Sequence, residues 1–288
     1  MSVRLTKAES EERLDLRKET VKKVCLTKND MSGPVSRVAV VLDVSGSMKK
    51  AFDSGAVQAT LERLLPLAMA FDDDGSMEVW TFDHKFKRYP PMTRVNFYNY
   101  IKDNKIEANG GTYYSPVIGD VGRYFAEEEP ARLPTYVIFI TDGDNADVNA
   151  TDEAIKHISY LPIFFQFVGI GNTRKNAFSY LRKLDEMKGR YVDNANFFAI
   201  EDLADANIMG DAELYAKLLD EYPKWLSYPQ VKEMIADPDK LKKLNKKHLK
   251  KLGELADNDP IENSGYAKFS RFAGAVGEVL DVILDILE

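Results

Sequence analysis

Three short stretches of the chain carry five side chains that could share one task. The first is VVLDVSGSMKK, residues 40–50, where an apolar run ends in Asp43 and then places Ser45 and Ser47 at alternate positions. The second is NGGTYYSP, 109–116, with Thr112 behind two glycines. The third is ITDGDN, 140–145, where Asp142 ends another apolar run. All five side chains offer oxygen, and no His or Cys stands among them. Hard divalent cations take such donors: Mg²⁺ foremost, with Mn²⁺ or Ca²⁺ as alternatives. Mg²⁺ asks for a near-octahedral shell at roughly 2.0–2.1 Å and usually keeps some waters. Gly110 and Gly111 let the backbone come close where a Cβ would intrude.

The positioning elements follow from hydrophobic pattern. SRVAVVLD (36–43) and TYVIFIT (135–141) are near-continuous apolar runs, as strands covered on both faces read. Further strands are expected at MEVWTF (77–82), at PIFFQFV (162–168) and within RYVDNANFF (190–198). KFKRYPPM reads as a short edge strand stopped by Pro90 and Pro91. Helices are expected at 54–71, 151–159, 174–187 and 211–226, with a short one within 95–103. Residues 11–24 read as a weak amphipathic helix or a helix plus strand, and 29–34 as a loop. Ser115 is a candidate helix cap, with Pro116 in the first turn.

Strands alternating with helices imply βαβ units. The expected fold is α/β: a doubly wound, mainly parallel central sheet with helices on both faces, Rossmann-like. In such sheets ligands bind at the carboxyl ends of strands. Asp43 and Asp142 sit at two such ends.

Other chemistries compete for these residues. A strand-end aspartate also serves phosphatases that form an aspartyl-phosphate, but those resemble D-x-D, and here the second position is Ser45. A serine nucleophile needs a base, and His84, His157 and His248 lie outside the three stretches, at expected surface positions. Gly169-Ile170-Gly171 is followed by Arg174, so the dinucleotide fingerprint fails. Asp72-Asp73-Asp74 reads as a solvated helix-to-strand loop, and Asp144 faces either the site or solvent.

The order D-x-S-x-S, Thr, T-D-G resembles the metal-ion-dependent adhesion site of von Willebrand factor A (vWA) domains. FDDDGSMEVWTF, PTYVIFITDGDN, PIFFQFVGIG and GRYVDNANFF are similar to its TerF-like branch, associated with tellurium resistance and a wider chemical-stress or phage-defence system. The resemblance covers residues 10–226. It implies that Ser45, Ser47 and Thr112 hold the metal directly or through water, and that Asp43 and Asp142 act largely through water. It also implies an incomplete shell that a partner's acidic side chain completes. The expected function is a non-enzymatic, metal-dependent protein-interaction module. The alternatives are a Mg²⁺-dependent hydrolase or phosphatase on a similar sheet, and a membrane-docking scaffold.

The rest of the chain sets bounds. It has 288 residues, 44% of them hydrophobic, ample for a core. Net charge is −7, which argues against nucleic acid as a general partner. One cysteine, a charged N-terminus without an apolar leader, and no run near the ~18 apolar residues of a membrane span suggest a cytoplasmic protein. The expected division is a helical lead at 1–34, the vWA domain at 35–226 and a helical appendage at 227–288. The appendage carries seven lysines between 240 and 251 beside Leu241, Leu244, Leu252 and Leu255. A solvated lysine face is the default reading there, with an anionic membrane as the alternative. The last stretch repeats apolar residues at helical spacing from Phe269 to Leu287.

Overall fold

The apolar runs become the strands of one sheet. The computed structural model describes residues 5–29, 36–72, 74–171, 178–202, 204–205 and 208–259. Its first half holds α1 (Lys7–Asn29), β1 (Arg37–Asp43), α2 (Lys49–Asp53), α3 (Ala56–Phe71), β2 (Met77–Phe82), β3 (Phe86–Met92), α4 (Tyr100–Asp103) and α5 (Ser115–Arg123). Then come β4 (Thr135–Thr141), α6 (Val148–Ile158), β5 (Ile163–Ile170), α7 (Ser179–Asp185), β6 (Ala195–Ile200) and α8 (Asp211–Leu218). The chain continues through α9 (Tyr222–Ser227), α10 (Pro229–Ala236), α11 (Pro238–Leu244) and α12 (Lys246–Ala256). Residues 30–34 of the expected loop, Asp73, 174–177 of an expected helix, and the apolar stripe from Phe269 onward lie outside the described residues.

The sheet order is β3-β2-β1-β4-β5-β6. β1 runs parallel to both β2 and β4, and β5 and β6 continue the parallel set. Among the described strands only β3 is antiparallel. The direction of winding reverses between β1 and β4, so the crevice that ligands use in such sheets opens at the ends of these two strands.

Alternation along each strand feeds two cores. Val38, Val40 and Leu42 face a layer with Leu61, Leu64 and Tyr215. Ala39 and Val41 face the opposite layer with Val117, Ile118 and Ile155. Both layers are buried, which is why β1 and β4 read as unbroken apolar runs.

One open reading is settled and other details differ from expectation. α1 is one helix, opened by a capping box in which Glu9 accepts from Thr6 N–H at 2.8 Å and Thr6 Oγ1 accepts from Glu9 N–H at 3.3 Å. β3 runs through Pro90 and Pro91 to Met92. It is an edge strand, and a register shift between Met77 and Val79 absorbs the irregularity. The helix expected over 211–226 is two helices, because Pro223 starts a new first turn. β6 begins at Ala195 and not at 190.

On the second face α12 lies across α5. A Cβ at Gly119 would stand 2.5 Å from the Leu252 carbonyl, and one at Gly122 would stand 2.9 Å from the Leu252 side chain. Leu249, Leu252 and Leu255 are buried, while Lys242, Lys243, Lys246, Lys247 and Lys250 face solvent. Leu244, assigned to the same stripe from the sequence, is exposed. Among the described residues no helix is long and apolar enough to cross a membrane.

Candidate metal centre

Asp43 ends β1 without any exposure to solvent. Its Oδ1 accepts the Ser45 N–H at 2.7 Å, which folds the chain into a tight Asx turn. Its Oδ2 accepts the Thr141 hydroxyl at 2.6 Å, which bolts the end of β1 to the end of β4. Burial pushes the Asp43 carboxyl up to about 6 against the pull of the hydrogen bonds from Ser45 and Thr141, and nearby Asp142 adds to the rise. Asp142 is half-buried, and burial raises its carboxyl too, against the hydrogen bond from Ser47.

From Asp43 a line of oxygens runs outward. Ser45 Oγ and Ser47 Oγ stand 3.0 Å apart, and Ser47 Oγ donates to Asp142 Oδ1 at 2.8 Å. Thr112 joins through its backbone: its carbonyl accepts from Ala146 N–H at 2.9 Å, tying its loop to the loop of Asp142. Gly46 N–H donates to the Gly110 carbonyl at 3.1 Å, and Asn109 N–H to the Val44 carbonyl at 2.6 Å, tying the same loop to the serines. Among the described residues the Thr112 hydroxyl takes no part in the line of hydrogen bonds itself. Gly110 has φ +92°, and a Cβ there would meet Asp83 Oδ2 at 2.7 Å, so only glycine fits the turn that presents Thr112.

The structure adds residues that the sequence did not single out. Ser115 is not a cap. It is the first residue of α5, and Asp147 caps that helix from another loop, accepting from Tyr114 N–H at 3.0 Å and Ser115 N–H at 2.8 Å. Tyr114 sends its hydroxyl to the Gly143 carbonyl at 2.5 Å, bracing the turn that carries Asp142. Asp147 lay within reach only as a local helix-start signal, since the two amides it caps are 33 and 32 positions away. Asp144 faces solvent and accepts from Ser179 Oγ at 3.4 Å. The three histidines are half-buried, each partly at the surface. His84 lies beside Asp83, while His157 and His248 meet each other, with Nδ1 atoms 2.8 Å apart.

Among the described residues neither Asp43 nor Asp142 has a basic partner. Buried carboxylates are normally paired with a cation or bound to a metal. No three His, Cys, Asp or Glu side chains converge among the described residues, so any cation here would rest on two carboxylates and neighbouring hydroxyls. That donor set fits a hard divalent ion and not a soft one.

A sheet of this order with such a constellation at its switch point defines the von Willebrand factor A class. The family model described as "vWA found in TerF C terminus" matches residues 35–235. The chain belongs to this vWA-TerF-like family. It is 36% identical over 231 residues to protein YcbR of Bacillus subtilis (strain 168), spanning 78% of this chain and 91% of that protein. A 71-residue stretch is 37% identical to Copine-A of Dictyostelium discoideum, covering 24% of this chain and 12% of that one. Among solved structures it is similar to a von Willebrand factor type A protein from Catenulispora acidiphila: TM-score 0.46, 19% identity, 65% of this chain and 43% of that chain. It is also similar to the SpRpn10 VWA domain: TM-score 0.45, 10% identity, 62% of this chain and 93% of that chain. vWA domains commonly serve as protein-interaction modules, and they often bind a metal at a metal-ion-dependent adhesion site.

Proposed function

We propose that this chain is a metal-dependent protein-interaction module whose cup takes a carboxylate from a partner protein. One observation carries the reading: a fully buried Asp43 and a half-buried Asp142 meet at the sheet's switch point with hydroxyls around them and, among the described residues, no basic partner. Ser45, Ser47 and Thr112 would hold Mg²⁺, or Mn²⁺ or Ca²⁺, directly, and Asp43 and Asp142 would hold its waters. The bound ion would supply positive charge with a coordination position open to an acidic side chain. Thr141 and the Ser45 N–H orient Asp43, and Tyr114 braces the Asp142 turn, so the cup is set before a partner arrives.

Binding is favoured over catalysis because, among the described residues, no histidine hydrogen-bonds Ser45 or Ser47. Membership of the TerF-like family supports a role in a bacterial tellurium-resistance, chemical-stress or phage-defence assembly, in the cytoplasm. The test has two arms. Titration calorimetry should show one Mg²⁺ or Mn²⁺ site that Ser45→Ala with Ser47→Ala removes. A pull-down should retain a partner in Mg²⁺ and release it in EDTA or with the double variant. A partner indifferent to metal and to both serines would overturn the proposal.

A further inference from the structure

Ser47 and Asp142 face two ways. On one side they belong to the cup, and on the other they form the rim of a groove of about 320 Å³. Leu42, Val57, Ile140 and Ile170 lie along its floor, and Ala51 of α2 stands in its wall. Exposed Lys50 and Glu201 and half-buried Asp202 line it as well, as do Ala56 and Thr60 of α3. The volume falls at the lower end of the roughly 300–1,000 Å³ of ligand-binding clefts. It suits one or two apolar side chains better than a large ligand.

We propose that this groove is the second half of the binding site, and that the partner is a loop carrying an acidic residue with a large apolar residue within two positions of it. The inference rests on the metal-dependent reading of the cup. Two features on the page commit the groove to that occupant. The groove is continuous with the cup through Ser47 and Asp142, so a chain that reaches one passes over the other. The charges also sort the two side chains: Glu201 and Asp202 together outweigh Lys50 and disfavour a carboxylate in the groove, while Leu42, Val57, Ile140 and Ile170 offer it apolar surface. In an extended segment, residues two apart point the same way and stand about 7 Å apart, which lets one loop fill both places. The metal alone would accept any exposed carboxylate. The groove therefore supplies the selectivity.

A library of random closed loops displayed on phage, selected on the full chain in Mg²⁺ and eluted with EDTA, tests this without a known partner. The eluted loops should share Asp or Glu with Leu, Ile, Met or Phe within two positions. In a synthetic copy of one such loop, replacing the apolar residue by Ser should weaken binding about tenfold, or about 1.4 kcal/mol. Ala51→Phe, which fills the groove from its α2 wall, should erase that difference while acidic loops still bind. Ala56→Leu repeats the test from α3. Eluted loops that share an acid with random neighbours would overturn the groove and leave the metal reading intact. Apolar loops that EDTA does not release, or no metal-dependent loops at all, would overturn the metal reading and this inference with it.

Discussion

Asp43 is a carboxylate cut off from water that answers only to hydrogen-bond donors. Holding a charge there costs stability unless a cation offsets it. Asp43→Asn keeps an oxygen for the Ser45 N–H and removes the charge. Two outcomes of opposite sign are expected. In EDTA the variant should melt at or above the wild-type temperature, because the uncompensated charge is gone. In Mg²⁺ the wild type should gain stability and the variant should not, with metal affinity down about 10–100-fold. Thermal melts with and without EDTA, together with calorimetric titration, read both effects. Unchanged Mg²⁺ affinity in the variant would remove Asp43 from the site. Asp43, Ser45 and Ser47 were legible in the sequence because one turn holds all three and their spacing is the geometry. Asp142 was legible because it sits in a short motif at a strand end, whereas among the described residues Thr112 reaches the other loops only through its backbone carbonyl. Thr141 was visible only as part of a motif. Its task, donating to a carboxylate 98 positions away, belongs to the packed sheet.

Elements bring these residues together, and here the sequence revealed less. β1 and β4 were plain because strands buried on both faces carry an unbroken apolar signature. The start of α5 was misread because its cap comes from a residue far along the chain. Asp147→Ala should cost about 0.5–2 kcal/mol, the scale of a lost helix cap. Because α5 begins just after Thr112, Mg²⁺ affinity should fall with stability. Denaturant titration and calorimetry on one sample would show whether the two losses travel together. The contact between His157 on α6 and His248 on α12 was equally hidden, since nothing local links positions 91 apart. One ring must donate and the other accept, so at least one is neutral. Burial holds both below the ordinary histidine range. His248 and the lysines at 247 and 251 push His157 further down, Glu153 opposes, and Lys247 acts on His248. Tyr160 stacks on His248 at 3.8 Å and closes the other side. With folded values below unfolded ones, the unfolded chain binds more protons. The contact therefore stabilises above about pH 6.5 and is lost as pH falls through the depressed values. Hydrogen exchange should show α12 protected at neutral pH and opening on acidification. His157→Gln should shrink that dependence, whereas a pH-insensitive α12 would leave the pair without a role in its docking.

At the scale of the molecule, the sheet is held between two clamps of different chemistry. On the first face Asp211 of α8 accepts from Arg17 of α1 at 3.0 Å and from the fully buried Arg63 of α3 at 2.9 Å. Burial alone would raise the Asp211 carboxyl, and the two guanidinium groups outweigh it and hold it below its usual value. On the second face the clamp is mainly apolar: α12 sets Leu249, Leu252 and Leu255 against the layer of α5 and α6, with the His157–His248 contact beside them. The family match ends at residue 235, before α12 begins, yet α12 holds the helix that starts behind Thr112. The site should therefore feel a change made at the far end of the chain. Leu252→Ala leaves a cavity over Gly122 and should cost about 2–5 kcal/mol. In melting temperature that is on the order of 10 °C for a domain of this size. If α12 positions the cup through α5, Mg²⁺ affinity should drop in the same variant, although every candidate ligand is intact. If affinity holds while the melting temperature falls, the Asp147 cap and the bonds of buried Asp120 to Trp80, Arg88 and Arg123 suffice to hold α5. In that case α12 stabilises the fold without shaping the site.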